Sequence, residues 1–190
     1  MHIPRGVKYD INKSTATADA FISNVKKKWN PLESQVLGYI SRVSGLKWKR
    51  KEITCYVPKI SWAAPFSDPL TIPITTFKNK KTYTKSVDRF IDVLTHELIH
   101  NIFIDNEKEL HRYFKHLIHK KYKRFKFATA IHVPLHAIHE KVFHKFFSRN
   151  RLKSEINFCK NWSAYNASWE IVLKEGNEAI LKDLKTFLAN

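Results

Sequence analysis

Ser86-Val87-Asp88-Arg89-Phe90-Ile91-Asp92-Val93-Leu94-Thr95-His96-Glu97-Leu98-Ile99-His100-Asn101-Ile102-Phe103-Ile104 is the stretch on which the reading of this chain turns. Phe90, Ile91, Leu94, Leu98 and Ile102 recur at the spacing of one helical face, which predicts an amphipathic helix over 87–104. At 100° per residue, His96 and His100 fall on the side away from that stripe. Ordinary core histidines would share the apolar face, so the pair calls for a separate explanation. The pattern is H-E-x-x-H.

Positions i and i+4 lie one turn apart on the same face, so both imidazoles can grip one Zn²⁺ while Glu97 reaches a water on the metal. Zinc lowers the pKa of its water to about 7, and a carboxylate can take that proton and pass it to a leaving amine. Such a site takes three protein ligands, so a third donor is needed. Ile131-His132-Val133-Pro134-Leu135-His136-Ala137-Ile138-His139-Glu140 concentrates the candidates on one expected helix, 132–148. Ile131, Leu135, Ile138, Val142 and Phe146 form its apolar stripe, with His132 and His139 at the border, His136 further round and Glu140 opposite. His132 ranks first because it opens that helix ahead of Pro134 and can turn its ring back. His136 and Glu140 remain alternatives. Asp92, one turn before His96, is a candidate to accept a ring proton, with a capping or surface role equally open.

The helix carrying His96, Glu97 and His100 resembles the active-site helix of the zincin metallopeptidases. That resemblance implies an α+β, mostly helical single domain over 1–190. A small sheet with an edge strand would precede the active-site helix, and a ligand-bearing helix would come after it. It also implies zinc-dependent peptide hydrolysis, with Glu97 as general base and then acid, His96, His100 and His132 on one Zn²⁺, and an edge strand that pairs with an extended peptide or protein substrate. Glu140 would be the third ligand if the chain has the gluzincin pattern. The longer metzincin pattern is excluded, because Phe103 stands where it requires Gly. Near the C-terminus, Trp162, Tyr165, Trp169 and Glu170 repeat at steps of three and four. An aromatic stripe is ordinarily core, while Tyr165 could alternatively stabilise an oxyanion.

Residues 1–15 read as irregular. Phe21, Ile22, Val25 and Trp29 predict a first helix that Asn30-Pro31 ends, and a second runs from Pro31 to a stop at Gly45. Ile53, Thr54, Cys55, Tyr56 and Val57 read as a strand. Residues 70–77 read as a second, edge or bulged strand because Pro73 cannot donate to a central ladder. A polar helix over 107–121 and two C-terminal helices divided at Gly176-Asn177 complete the expectation.

The 190 residues, 43% apolar, suit one folded domain, and 25 aromatics exclude a disordered or fibrous chain. Two cysteines are too few for a disulfide scaffold, which favours a reducing, cytoplasmic setting. No segment has the length or apolarity of a membrane span. Thirty-four basic against 17 acidic residues give +17, a charge that attracts polyanions. Residues 26–28, 47–51, 78–81 and 120–126 carry much of it, the last interleaving Tyr122 and Phe125 with cations. A nucleic-acid-binding module is therefore one alternative to hydrolysis. A zincin-like fold that keeps its zinc only for stability is another.

Overall fold

The structure, a computed structural model, describes residues 2–11, 16–58, 64–74 and 86–189. It is α+β and mostly helical, with seven α-helices and four short strands among the described residues. The chain groups into two compact units, Met1–Gly38 with Trp48–Asp105, and Tyr39–Lys47 with Asn106–Asn190.

The first unit contains the whole sheet. Strand β1 (Val7–Asp10) and strand β2 (Ile53–Tyr56) pair in parallel, Val7 opposite Ile53. Parallel neighbours need a crossover, which helix α1 (Ala16–Ser44) supplies between them. The expected break at Pro31 does not occur, and α1 is continuous through it. Val25, Trp29, Val36 and Leu37 are fully buried on both sides of Pro31, and burying one unbroken face offsets the hydrogen bond that the proline removes. Residues 1–15 were expected to be irregular, yet 7–10 form β1, held by the pairing with β2 rather than by an apolar run of their own. Gly6 leads into β1 at φ +137°, and a Cβ there would stand 2.6 Å from Glu33 Oε2. The Glu33 carboxylate accepts from the Val7 N–H at 2.8 Å and from Trp29 Nε1 at 2.7 Å, which ties β1 to α1.

Strands β3 (Phe66–Ser67) and β4 (Leu70–Thr71) form a hairpin, and the sheet order is β1-β2-β4-β3. The segment expected at the edge is therefore interior: β4 lies between β2 and β3, and β3 takes the edge. Pro73 is compatible with this because the ladder towards β2 is continued by Ile72 N–H to Tyr56 O and Ile74 N–H to Pro58 O. The missing donor thus belongs to the opposite side, beyond the end of the two-residue β3. Residues 75–77 of the expected strand lie outside the described residues. Helix α2 (Val87–Asp105) matches the expected 87–104, and Phe90, Ile91, Leu94, Leu98 and Ile102 have no exposed surface. Phe90 meets Phe21 of α1 edge-on at 5.8 Å and Tyr9 of β1 at 6.3 Å, which seats α2 within this unit.

The second unit is helical. Helix α3 (Glu107–His116) passes into a π-helical turn (Leu117–Lys121), so the expected polar helix keeps its length but changes winding in its last third. Helix α4 (Phe127–Phe146) begins five residues before the expected start and holds Pro134 inside it. His132 to His139 are buried without interruption, as befits a helix packed on several sides, here against α5 (Arg149–Cys159), α6 (Ser163–Glu175) and α7 (Asn177–Ala189). Ser148 caps α5, its hydroxyl accepting from the Arg151 N–H at 3.3 Å. The break between α6 and α7 falls at Gly176, φ +82°, as expected, whereas the separation of α5 from α6 has no counterpart in the sequence reading. Cys55 and Cys159 are both reduced and buried. Among the described residues, no helix is long and apolar enough to cross a membrane.

Candidate metal centre

Helix α2 presents His96 and His100 as a half-buried pair, their ring centroids 5.0 Å apart and their planes 66° from parallel. The i, i+4 spacing does this, since successive turns stack the two rings. Glu97 between them is buried, and its Oε2 accepts a hydrogen bond from Ser67 Oγ of β3 at 2.6 Å. Asn101, one turn further on, donates through Nδ2 to the Ser67 carbonyl at 2.8 Å and to the Glu97 carbonyl at 2.9 Å. Its Oδ1 accepts from the Arg50 guanidinium, whose Nε donates to Asp105 at 2.8 Å. A polar chain thus runs Ser67, Glu97, Asn101, Arg50, Asp105 along α2. Burial pushes the Cys55 thiol well above its ordinary range, and the Glu97 charge adds to that, so Cys55 is a neutral wall of this unit. Asp92 is buried one turn before His96.

Helix α4 places its histidines differently. His132 does not open the helix as expected but sits in its second turn, where Nδ1 lies 2.7 Å from the Ala128 carbonyl. A carbonyl can only accept, so Nδ1 carries the proton and Nε2 carries the lone pair that a metal needs. Burial lowers the His132 pKa from 6.5 to about 4, against a smaller opposing effect of the carbonyl, which keeps the ring neutral at neutral pH. His136 is fully buried, stacked on Trp169 at 4.3 Å with the planes 11° apart. Its Nδ1 is 2.8 Å from Ser168 Oγ, and that hydroxyl spends its own proton on the Tyr165 carbonyl at 2.8 Å. His136 is therefore the donor in that contact, and its position is set by the helical core. His139 is buried against the edge of Phe143 at 4.5 Å. Glu140 accepts from Asn177 Nδ2 at 2.7 Å, at the start of α7.

Among the described residues, side chains that could hold a metal ion are His96 and His100 on α2, His132 and His139 on α4, and Glu155 on α5. His132, ranked first as third ligand, is among these residues, whereas His136 and Glu140, the alternatives, are not. The donor chemistry of imidazoles and one carboxylate suits zinc and other borderline divalent ions without selecting among them.

Sequence reasoning missed Glu155, a buried residue of α5 whose carboxylate accepts from Cys159 Sγ at 3.4 Å. The i, i+4 spacing of Glu155 and Cys159 was available as a signal. For Ser67 there was none, because a serine beside Asp68-Pro69 reads as an ordinary turn. Tyr165 packs edge-on against His132 at 4.5 Å, Trp162 packs on Phe158, Trp169 lies 6.1 Å from His139, and Glu170 accepts from Asn166, so this stripe is helical packing that includes two of the candidate donors. Of the basic runs, 78–81 lies outside the described residues. Run 120–126 occupies the end of the π-helical turn and the loop leading into α4, and Phe125 there is exposed.

No family model, curated protein or solved structure matches this chain.

Proposed function

We propose that the protein is a zinc-dependent peptide hydrolase of the zincin kind, with His96, His100 and His132 as metal ligands and Glu97 as general base and then acid. The observation that carries this reading is the half-buried pair of imidazoles, His96 and His100, stacked one turn apart on α2 with the buried Glu97 carboxylate between them in sequence. The residues suit the ion: His132 is neutral with Nε2 as its acceptor nitrogen, and three nitrogens leave a tetrahedral metal one position short. A bound zinc ion supplies Lewis acidity, polarising the scissile carbonyl and acidifying water. Glu97 takes the proton of the attacking water and returns it to the departing amine. The strand beside Glu97 is β3, at the edge of the sheet, and Phe66 on it is 56% exposed, which suits an extended peptide added to that edge.

The test is Glu97→Gln. Zinc content stays that of the wild type, and cleavage of a mixture of quenched fluorescent peptides falls by about 10²–10⁴-fold, the range for a lost general base. Unchanged cleavage in Glu97→Gln contradicts the mechanism. A second reading, a metal that only stabilises the fold, is favoured by one observation: the candidate donors His132, His139 and Glu155 are all buried. X-ray absorption showing four protein donors and no water on the zinc would select it.

A further inference from the structure

Glu97 is tethered from outside its own helix. Ser67 Oγ donates to Glu97 Oε2 at 2.6 Å, the short distance typical of a hydroxyl bound to a charged carboxylate. The hydroxyl is itself held in place, since the backbone carbonyl of Ser67 accepts from Asn101 Nδ2 at 2.8 Å. Asn101 is buried, bonded to the Glu97 carbonyl, and gripped at its oxygen by Arg50, which Asp105 anchors in turn. Ser67 therefore touches Glu97 through its side chain and the next turn of α2 through its main chain. Two contacts from one residue fix β3 against α2.

From this geometry we infer that Ser67 is the positioning residue for Glu97, holding the carboxylate in a single orientation so that β3 and the proton-transfer group move as one body. The inference rests on the hydrolase reading above. A carboxylate on a side chain with three rotatable bonds has several staggered orientations open to it, and a general base must occupy the one within hydrogen-bond reach of the proton it takes. The other orientations of Glu97 require breaking a charge-assisted bond to a donor that is held in place. Asn101 sets where the donor stands, and Arg50 sets where Asn101 stands. The residue that aligns the base thus lies on the strand that would bear the peptide, so displacing β3 also displaces the base.

The experiment compares wild type, Ser67→Ala, Ser67→Thr and Glu97→Gln as zinc-loaded full-length proteins on the quenched peptide mixture, with zinc content and thermal midpoint measured for each. Ser67→Ala keeps its zinc and its backbone bond to Asn101. Its kcat is expected to fall about 10–100-fold, with KM within about twofold, the size of effect that misplacing a reacting group produces. Ser67→Thr, which restores the hydroxyl, recovers most of that rate. A Ser67→Ala enzyme with wild-type kcat, while Glu97→Gln is inactive, overturns the positioning role and leaves the hydrolase reading intact. So does a loss that tracks the thermal midpoint and is not rescued by Thr. Wild-type protein without zinc-dependent cleavage, or an active Glu97→Gln, overturns the hydrolase reading and this inference with it.

Discussion

Helices α2 and α4 both carry histidines one turn apart, His96 and His100 on the first, His132 and His136 on the second, and their surroundings differ in kind. On α4 each ring has a structural occupation: His132 donates to its own helix, and His136 stacks on Trp169 and donates to Ser168. On α2 the rings stay half-buried, and the carboxylate between them is held by a strand. Spacing alone therefore does not assign a role to such a pair. The two helices differ in the residue that follows the first histidine, Glu97 after His96 and Val133 after His132, and in how much of the ring surface the fold has already used.

The largest expected stability effect lies on α4. His136→Ala removes a fully buried, stacked and hydrogen-bonded ring and leaves Ser168 to find another partner, so it should lower unfolding free energy by about 3 kcal/mol in a denaturant titration. Zinc content of the protein that remains folded should not change. A loss of bound zinc without loss of stability would reverse the roles given to the two helices.

A smaller effect is expected at the end of the α2 chain of polar groups. The Asp105 carboxylate sits at the C-terminus of a helix, where the dipole is unfavourable to it, and Arg50 offsets that from 2.8 Å. Arg50→Met should cost about 1–2 kcal/mol by the same titration, because Asp105 keeps its bond from the Lys49 N–H. An unchanged midpoint would show that the chain beyond Asn101 is dispensable.

The smallest effect is a pH dependence that belongs to α4. His132 titrates at about 4 in the folded protein against an ordinary 6.5. Between those values the unfolded chain binds a proton that the native ring refuses, so stability is complete above 6.5 and declines as pH falls towards 4. At pH 6 the loss is about 1 kcal/mol in metal-free protein, and His132→Asn, which has no proton to gain, should flatten the curve over that window.

How much of this was legible beforehand depended on whether a segment's own residues decide its structure. Helix α2 was legible because its stripe of Phe90, Ile91, Leu94, Leu98 and Ile102 is buried by the same side chains that announce it. The Gly176 break was legible because a positive φ needs glycine. Strand β1 was not, since Lys8 and Asp10 give it no apolar run and β2 supplies the pairing. The continuity of α1 through Pro31 was hidden because proline's local cost is visible in sequence, whereas the burial of Trp29 and Val36 that offsets it is not. In the site, the i, i+4 pair and Glu97 were readable from a single helix. His132 ranks first in the sequence for a reason that the structure does not keep, as the opening residue of a helix that in fact starts at Phe127. Ser67 comes from a distant segment with no local signature that ties it to Glu97.

Metal content tests the central claim most directly. Protein purified without added metal, dialysed against zinc and analysed by mass spectrometry of the ion should carry about one zinc per chain. His96→Ala, His100→Ala and His132→Ala should each lose it while remaining folded, and His136→Ala and Glu140→Ala should keep it. Zinc retained in full by His132→Ala, or no zinc in the wild type, would contradict the account.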